Sequence, residues 1–390
     1  MKVLKIIAPF LLVGLLLLKV NQSEGSGKID LFNTPQKPVV RTIIDSIKYD
    51  REIKSIDTIF SNLSKIDAFN GNVLVAKGSQ IIYQKSFGYA IKEKNIFLND
   101  TSLFQLASIS KVITGIATLM LYEQNKLDIN AYVSSILDSF PYKDITVKHL
   151  LTHRSGLSNY TYFCPEYLSP DDKWVSNQKI LDIMVEHKPK PWMNPDRKFN
   201  YCNTNYILLA LIIEKISGLT YSDFLKEQIF KPLGMKHSYT ALNIDSTKEC
   251  ITHGYTMKYG WVANDRYDGS VGDKGVYTTT YDLFLLSAAL YQNKLLKPET
   301  QAMAYQPYSP ERKEANYGFG WRMKNMDDSD KEVFHNGWWH GYRTAFHRRL
   351  KDSVTVIVLS NRLNKSVYNT WKVFNALDGS SVNDISSIEE

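Results

Sequence analysis

Cysteine is scarce in this chain of 390 residues, being confined to Cys164, Cys202 and Cys250. An odd number at such wide spacing makes neither a disulfide framework nor a zinc-ligand pattern, and each reads as a small buried side chain. Charge of one sign is not concentrated either. The formal +7 includes Lys2, Lys5 and Lys19 and leaves the rest about +4, too mild for a nucleic-acid partner. The local cluster of Arg343, Arg348, Arg349 and Lys351 reads as a solvated strand and turn. There is no G-x-S-x-G elbow and no glycine-rich phosphate loop. His149 and His153 have the spacing of two helical zinc ligands, but no glutamate follows His149, so no metal and no cofactor are expected.

The N-terminus has no bilayer-length run. Lys2 and Lys5 precede an uncharged stretch at 6–18, 13 residues long, where a comfortable span needs roughly 20. A basic start with an apolar run of this length is expected to export the chain, as a signal peptide or a retained anchor over residues 1–20. Export places the protein in the periplasm, or on the membrane facing it; a retained anchor is also its means of membrane association. No small-residue cleavage site stands out at 19–23, and no cysteine is there to take a lipid. Residues 21–45, rich in Ser, Gly, Asn, Gln and Pro, are expected to be a linker. One folded domain at 46–375 and a tail at 376–390 follow.

Within that domain Ile56, Ile59, Leu63 and Ile66 have helical spacing, and the β-rich runs 71–76 and 81–89 flank a turn at 77–80, which predicts a hairpin. A second β-rich group lies at 332–335, 342–350 and 354–360. Between the two groups helices are predicted at 110–124, 206–216, 221–229 and 281–291. Strands from both ends with helices between predict an α+β fold: an antiparallel sheet flanked by helices, with an inserted α-helical lobe.

Three short elements carry chemistry. Ser108-Ile109-Ser110-Lys111 opens the first strong helix, and residues three apart share a helical face, so the Lys111 amine can sit beside the Ser108 hydroxyl. Serine becomes a nucleophile once a neighbouring base takes its proton, and the helix start offers N–H groups to a developing oxyanion. Tyr201-Cys202-Asn203 precedes an apolar helix; alternate residues on an extended loop point the same way, so the phenol and the amide can both enter a cleft. His335-Asn336-Gly337 ends a β run before Trp338-Trp339, and a glycine there lets backbone approach a reacting centre closely. Taken singly, each has a plain structural reading: a cap with a solvated lysine, a polar loop before a helix, a strand-edge turn.

Together and in this order they resemble the serine β-lactamase and penicillin-binding-protein superfamily, in the group related to class C β-lactamases, D-Ala-D-Ala carboxypeptidases and similar esterases. Further matches are the hairpin 71–89, the run Leu150-Leu151-Thr152-His153-Arg154-Ser155-Gly156-Leu157, Lys231-Pro232-Leu233-Gly234-Met235 and Tyr317-Gly318-Phe319-Gly320-Trp321. The resemblance covers roughly residues 50–365. It implies a β-lactamase/transpeptidase-like fold and a covalent acyl-enzyme. Ser108 would attack, Lys111 and Tyr201 would share the proton work, and Asn203 would orient Lys111 and substrate. The backbone N–H groups of Ser108 and Trp338 would hold the oxyanion.

Penicillin-recognising relatives commonly carry Lys-Thr-Gly at the third element; here His335 and Asn336 replace the first two residues. A neutral imidazole is a weaker anion site than a lysine, which argues against a true β-lactamase. His335, Asn336, Gly337, Trp339 and Arg343 are the expected substrate-binding residues, one of the two tryptophans leaning over the cleft; Arg343 reads equally as a surface side chain. The substrate is expected to be a small molecule or peptide: a D-Ala-D-Ala-type peptide suits the export, an ester suits the lost lysine and the aromatic pair. The alternative is a binding or sensor protein for cell-wall peptides or β-lactams that acylates and releases slowly.

Overall fold

A computed structural model describes residues 48–379 except 246, 249 and 325–329. The expected leader, the whole of the expected linker and all but the first residues of the tail lie outside the described residues. Among the described residues no helix is long and apolar enough to cross a membrane.

The sheet has seven strands: β1 (Gly71–Lys77), β2 (Gln80–Phe87), β3 (Ala315–Tyr317), β4 (Arg322–Lys324), β5 (Glu332–Trp339), β6 (Tyr342–Arg349) and β7 (Val354–Ser360). Their order is β2-β1-β7-β6-β5-β4-β3, every neighbouring pair antiparallel. The N-terminal hairpin closes onto the last strand, with Gly71 opposite Ser360 and Lys77 opposite Val354. Both termini therefore complete one sheet, as expected.

Alternation gives that sheet two dry faces. Val73 and Val75 with Val354, Val356 and Val358 form a core with helices α1 (Asp50–Lys65) and α7 (Thr370–Leu377) through Ile56, Phe60, Val373 and Phe374. On the opposite face packs α6 (Thr280–Tyr291), where Ser287 and Thr355 share a 2.7 Å hydrogen bond.

The inserted lobe is built on α2 (Ser110–Glu123), α3 (Val147–Leu151), α4 (Asn177–His187) and α5 (Thr204–Ser217). Helix α2 is buried from Ser110 to Leu121, as an element covered on all sides must be. The helix predicted at 221–229 is α-helical at Tyr221–Leu225 and widens into a π-turn at Lys226–Phe230, before a last turn that contains Pro232.

Candidate active site

Ser108 stands where a strand-like segment turns into α2. The turn Ala107–Ile109 is 3-10, and Ala107 has φ +49°, a left-handed conformation that costs a non-glycine residue about 1 kcal/mol. It persists because its neighbours are fixed: Leu106 N–H donates to Val276 O at 2.8 Å, and Thr344 Oγ1 donates to Leu106 O at 2.8 Å. One helical turn on, Lys111 is fully buried, with Nζ 3.2 Å from Ser108 Oγ and 2.7 Å from Asp273 O. The spacing predicted this contact; the main-chain acceptor at Asp273 was not visible in the sequence.

Tyr201 comes from the loop before α5. Its ring lies 4.3 Å from the His153 ring, and the Lys111 ammonium is 5.0 Å from its centroid. The loop is fastened by the turn 152–156: His153 O accepts from Asn200 N at 2.8 Å, and His153 Nδ1 from Cys202 N at 3.1 Å. Those bonds give His153 a structural role in holding the loop that carries Tyr201. Burial, then the charge of Lys111, holds its imidazole well below 6.5, so it is neutral at pH 7. Asn203 is the N-cap residue just before α5, and its buried Oδ1 has no partner among the described residues. The hold on Lys111 expected of Asn203 is exercised here by the Asp273 carbonyl.

β5 forms the other wall. Gly337 lies so close to the nucleophile turn that a Cβ on it would sit 2.3 Å from Leu106 O and 2.1 Å from Thr344 Oγ1; only glycine fits. His335, on the same face, is fully buried. Its Nε2 is 3.1 Å from Tyr317 OH and its Nδ1 2.8 Å from Asn336 O, which assigns the proton to Nδ1. Burial first, then Arg322 and Lys111, keep this imidazole neutral, as the sequence argument assumed. Trp339 also lies on this face, its Nε1 donating to Asp268 Oδ1 at 2.8 Å and its ring 4.8 Å from the buried Lys274 ammonium. Of the two tryptophans, it is Trp339 that lies on the Ser108 side.

Two expected substrate-binding residues point the other way. Asn336 Oδ1 bonds His347 Nε2 at 2.8 Å, and His347 in turn meets Thr370 of α7. Arg343, paired with Trp338 across the ladder, stacks 5.2 Å from the Trp338 ring and 5.6 Å from Tyr368. Strand parity sends Asn336, Trp338 and Arg343 to the face that α7 covers, so the side chains of Asn336 and Arg343 are corrected from substrate binding to the far side of the sheet.

One cation was missed. Arg322, the first residue of β4, places its guanidinium 5.0 Å from the Tyr201 centroid and 6.0 Å from that of Tyr317. It is half-buried, and its side chain makes no hydrogen bond or ion pair with any described residue. Its only trace in the sequence is its place after Tyr317-Gly318-Phe319-Gly320-Trp321. That run is fixed by close packing on α2, where a Cβ on Gly320, at φ +83°, would lie 2.7 Å from Lys111 O. The segment that seats Lys111 thereby also delivers Arg322.

A family profile described as Beta-lactamase matches residues 56–377. Penicillin-binding protein 4* of Bacillus subtilis is 36% identical over 333 residues, 81% of this chain and 73% of its own. Teichoic acid D-alanine hydrolase of Staphylococcus aureus is 27% identical over 281 residues, covering 70% and 66% of the two chains. Among solved structures, the octameric penicillin-binding protein homologue from Pyrococcus abyssi superposes with a TM-score of 0.73 at 22% identity, over 85% of this chain and 78% of that one.

Proposed function

The chain belongs to the Beta-lactamase family, and from that premise we propose that this serine hydrolase cleaves an amide or ester bond at a D-alanine-type residue through an acyl-enzyme on Ser108. The observation that carries the reading is the 3.2 Å contact between Ser108 Oγ and the buried Lys111 Nζ, with a phenol beside it. Ser108 Oγ attacks the carbonyl carbon while Lys111 and Tyr201 relay its proton to the leaving nitrogen or oxygen. The N–H groups of Ser108 and Trp338 hold the oxyanion, and Asn203 Oδ1 accepts from a substrate amide. Water then takes the acyl group from Ser108, the same groups moving its proton.

Arg322 favours a peptide over a neutral ester. A half-buried guanidinium with no described anion partner suits a terminal carboxylate, which it can grip bidentately; His335, being neutral, leaves that task open. Of the names of the two relatives, that of the D-alanine hydrolase supports a D-alanine substrate. Both names support work outside the cytoplasm, in line with the basic and apolar N-terminus. Whether that is in free periplasmic form or on a retained anchor is a matter for N-terminal sequencing of the mature protein.

Fluorophosphonate labelling with intact-mass readout tests the nucleophile: one adduct on the native chain and none on Ser108→Ala. Arg322→Gln is expected to raise KM for a D-Ala-D-Ala peptide 10- to 100-fold, about the 1.5–3 kcal/mol of a charged hydrogen bond, and to leave p-nitrophenyl acetate turnover unchanged. Equal effects on both substrates would remove the carboxylate role. Stoichiometric acylation without steady-state release would instead support the sensor alternative.

A further inference from the structure

The stretch that runs into Tyr201 carries a feature that hydrolysis at Ser108 does not use. Pro189, Pro191 and Pro195 stiffen it, and it is fastened from beneath. Gly156 O accepts from Trp192 N at 2.8 Å, Arg154 O from Asp196 N at 2.8 Å, and Pro189 O from Tyr142 OH at 2.5 Å. Against this fastening lies a cavity of about 440 Å³ whose wall includes Lys143, Lys190, Trp192, Asn194 and Arg197. The three cations form no ion pair with any described residue. One carboxylate, Asp144, shares the wall, while the neighbouring Asp196 is engaged by Arg154 at 2.5 Å. Trp192 is 64% exposed.

An indole left in water beside unneutralised cations, on a stiff and preformed loop, has the makings of a recognition surface. The flat indole suits the C–H face of a sugar ring. The guanidinium fork matches phosphate oxygens, and the two lysines add point charge. We propose that this cavity is a docking site for an anionic glycan, a saccharide chain that carries phosphate groups. It holds the polymer on the lobe that supplies Tyr201, and it works independently of the chemistry at Ser108.

The test is a titration of the full chain, followed by calorimetry, with four probes: phosphorylated chitohexaose, neutral chitohexaose, inorganic polyphosphate and duplex DNA. The phosphorylated chitohexaose is expected to bind at least tenfold tighter than any other probe, and less tightly as salt screens the cations. Trp192→Ala, and Lys190→Glu combined with Arg197→Glu, should each weaken it at least tenfold with circular dichroism and melting temperature unchanged. Ser108→Ala should bind like the native chain. Polyphosphate or DNA binding as tightly would reduce the site to bare charge, and neutral chitohexaose binding as tightly would make it a neutral sugar site; either overturns the proposal. So would binding that neither set of variants alters, or no binding at all.

Discussion

The two walls of the cleft are built by different rules. On the helical wall, Ser108 and Lys111 meet because residues three apart share one face of α2, and burial from Ser110 to Leu121 leaves the lysine nowhere else to go. On the sheet wall, five consecutive residues of β5 are divided by strand alternation: His335, Gly337 and Trp339 face the nucleophile, whereas Asn336 and Trp338 face α7. Neighbours in sequence act together on the first wall only with a gap of three, and on the second only with a gap of two. A motif read as a contiguous block is reliable on neither.

The largest effect that would break the comparison lies on the helical wall. Ser108→Ala and Lys111→Ala are each expected to lower kcat at least 10³-fold, and the double variant little further, because nucleophile and base act as a unit. Additive losses in steady-state kinetics would show that Lys111 serves some other group. On the sheet wall the matching test is Gly337→Ala. Its methyl would meet Leu106 O and Thr344 Oγ1 well inside contact distance; the strand must retreat from the nucleophile, at a cost of about 1–3 kcal/mol in stability and on the order of 10²-fold in kcat. Unfolding midpoints and kcat measured together decide it, since an unchanged kcat would mean that β5 does not border the reacting carbonyl.

Between the walls sit two imidazoles that burial holds below 6.5, His153 and His335. The unfolded chain therefore binds more protons than the folded one as pH falls below 6.5. Their contribution is fully present above about pH 7.5 and is lost on acidification, with a limiting slope of about 1.4 kcal/mol per pH unit for each histidine. Urea midpoints at pH 7.5 and 5.0 should differ accordingly, and His335→Gln should remove one histidine's share of that difference. An unchanged difference would mean that His335 titrates alike in both states.

Much of this architecture could be read from sequence because its signals are short-range. The hairpin at 71–89, the helix from Ser110 and the strands at 342–360 each follow from a local period or turn. What escaped depends on long-range closure. Asp273 reaches Lys111 through a main-chain carbonyl 162 residues away, and a carbonyl carries no mark of side-chain type. Arg322 is one of many arginines until β4 pairs with β5 and turns it to Tyr201. Asn336 and Arg343 were misassigned for a related reason: alternation was recognised, but which parity faced Ser108 became legible only with Gly337 seated against Leu106.

The smallest expected effect sharpens that point. Arg343 lies across the ladder from Trp338, stacked between that ring and Tyr368 on the face covered by α7. Arg343→Ala should therefore leave kcat and KM for any substrate within about twofold. Its cost should appear instead as a loss of stability of roughly 0.5–1 kcal/mol from the cation–π contacts. Trp339→Ala, one position along β5 from Trp338, is the control on the opposite parity and should alter KM several-fold. A KM shift of equal size in both variants would show that parity does not sort these side chains, and would return Arg343 to the substrate.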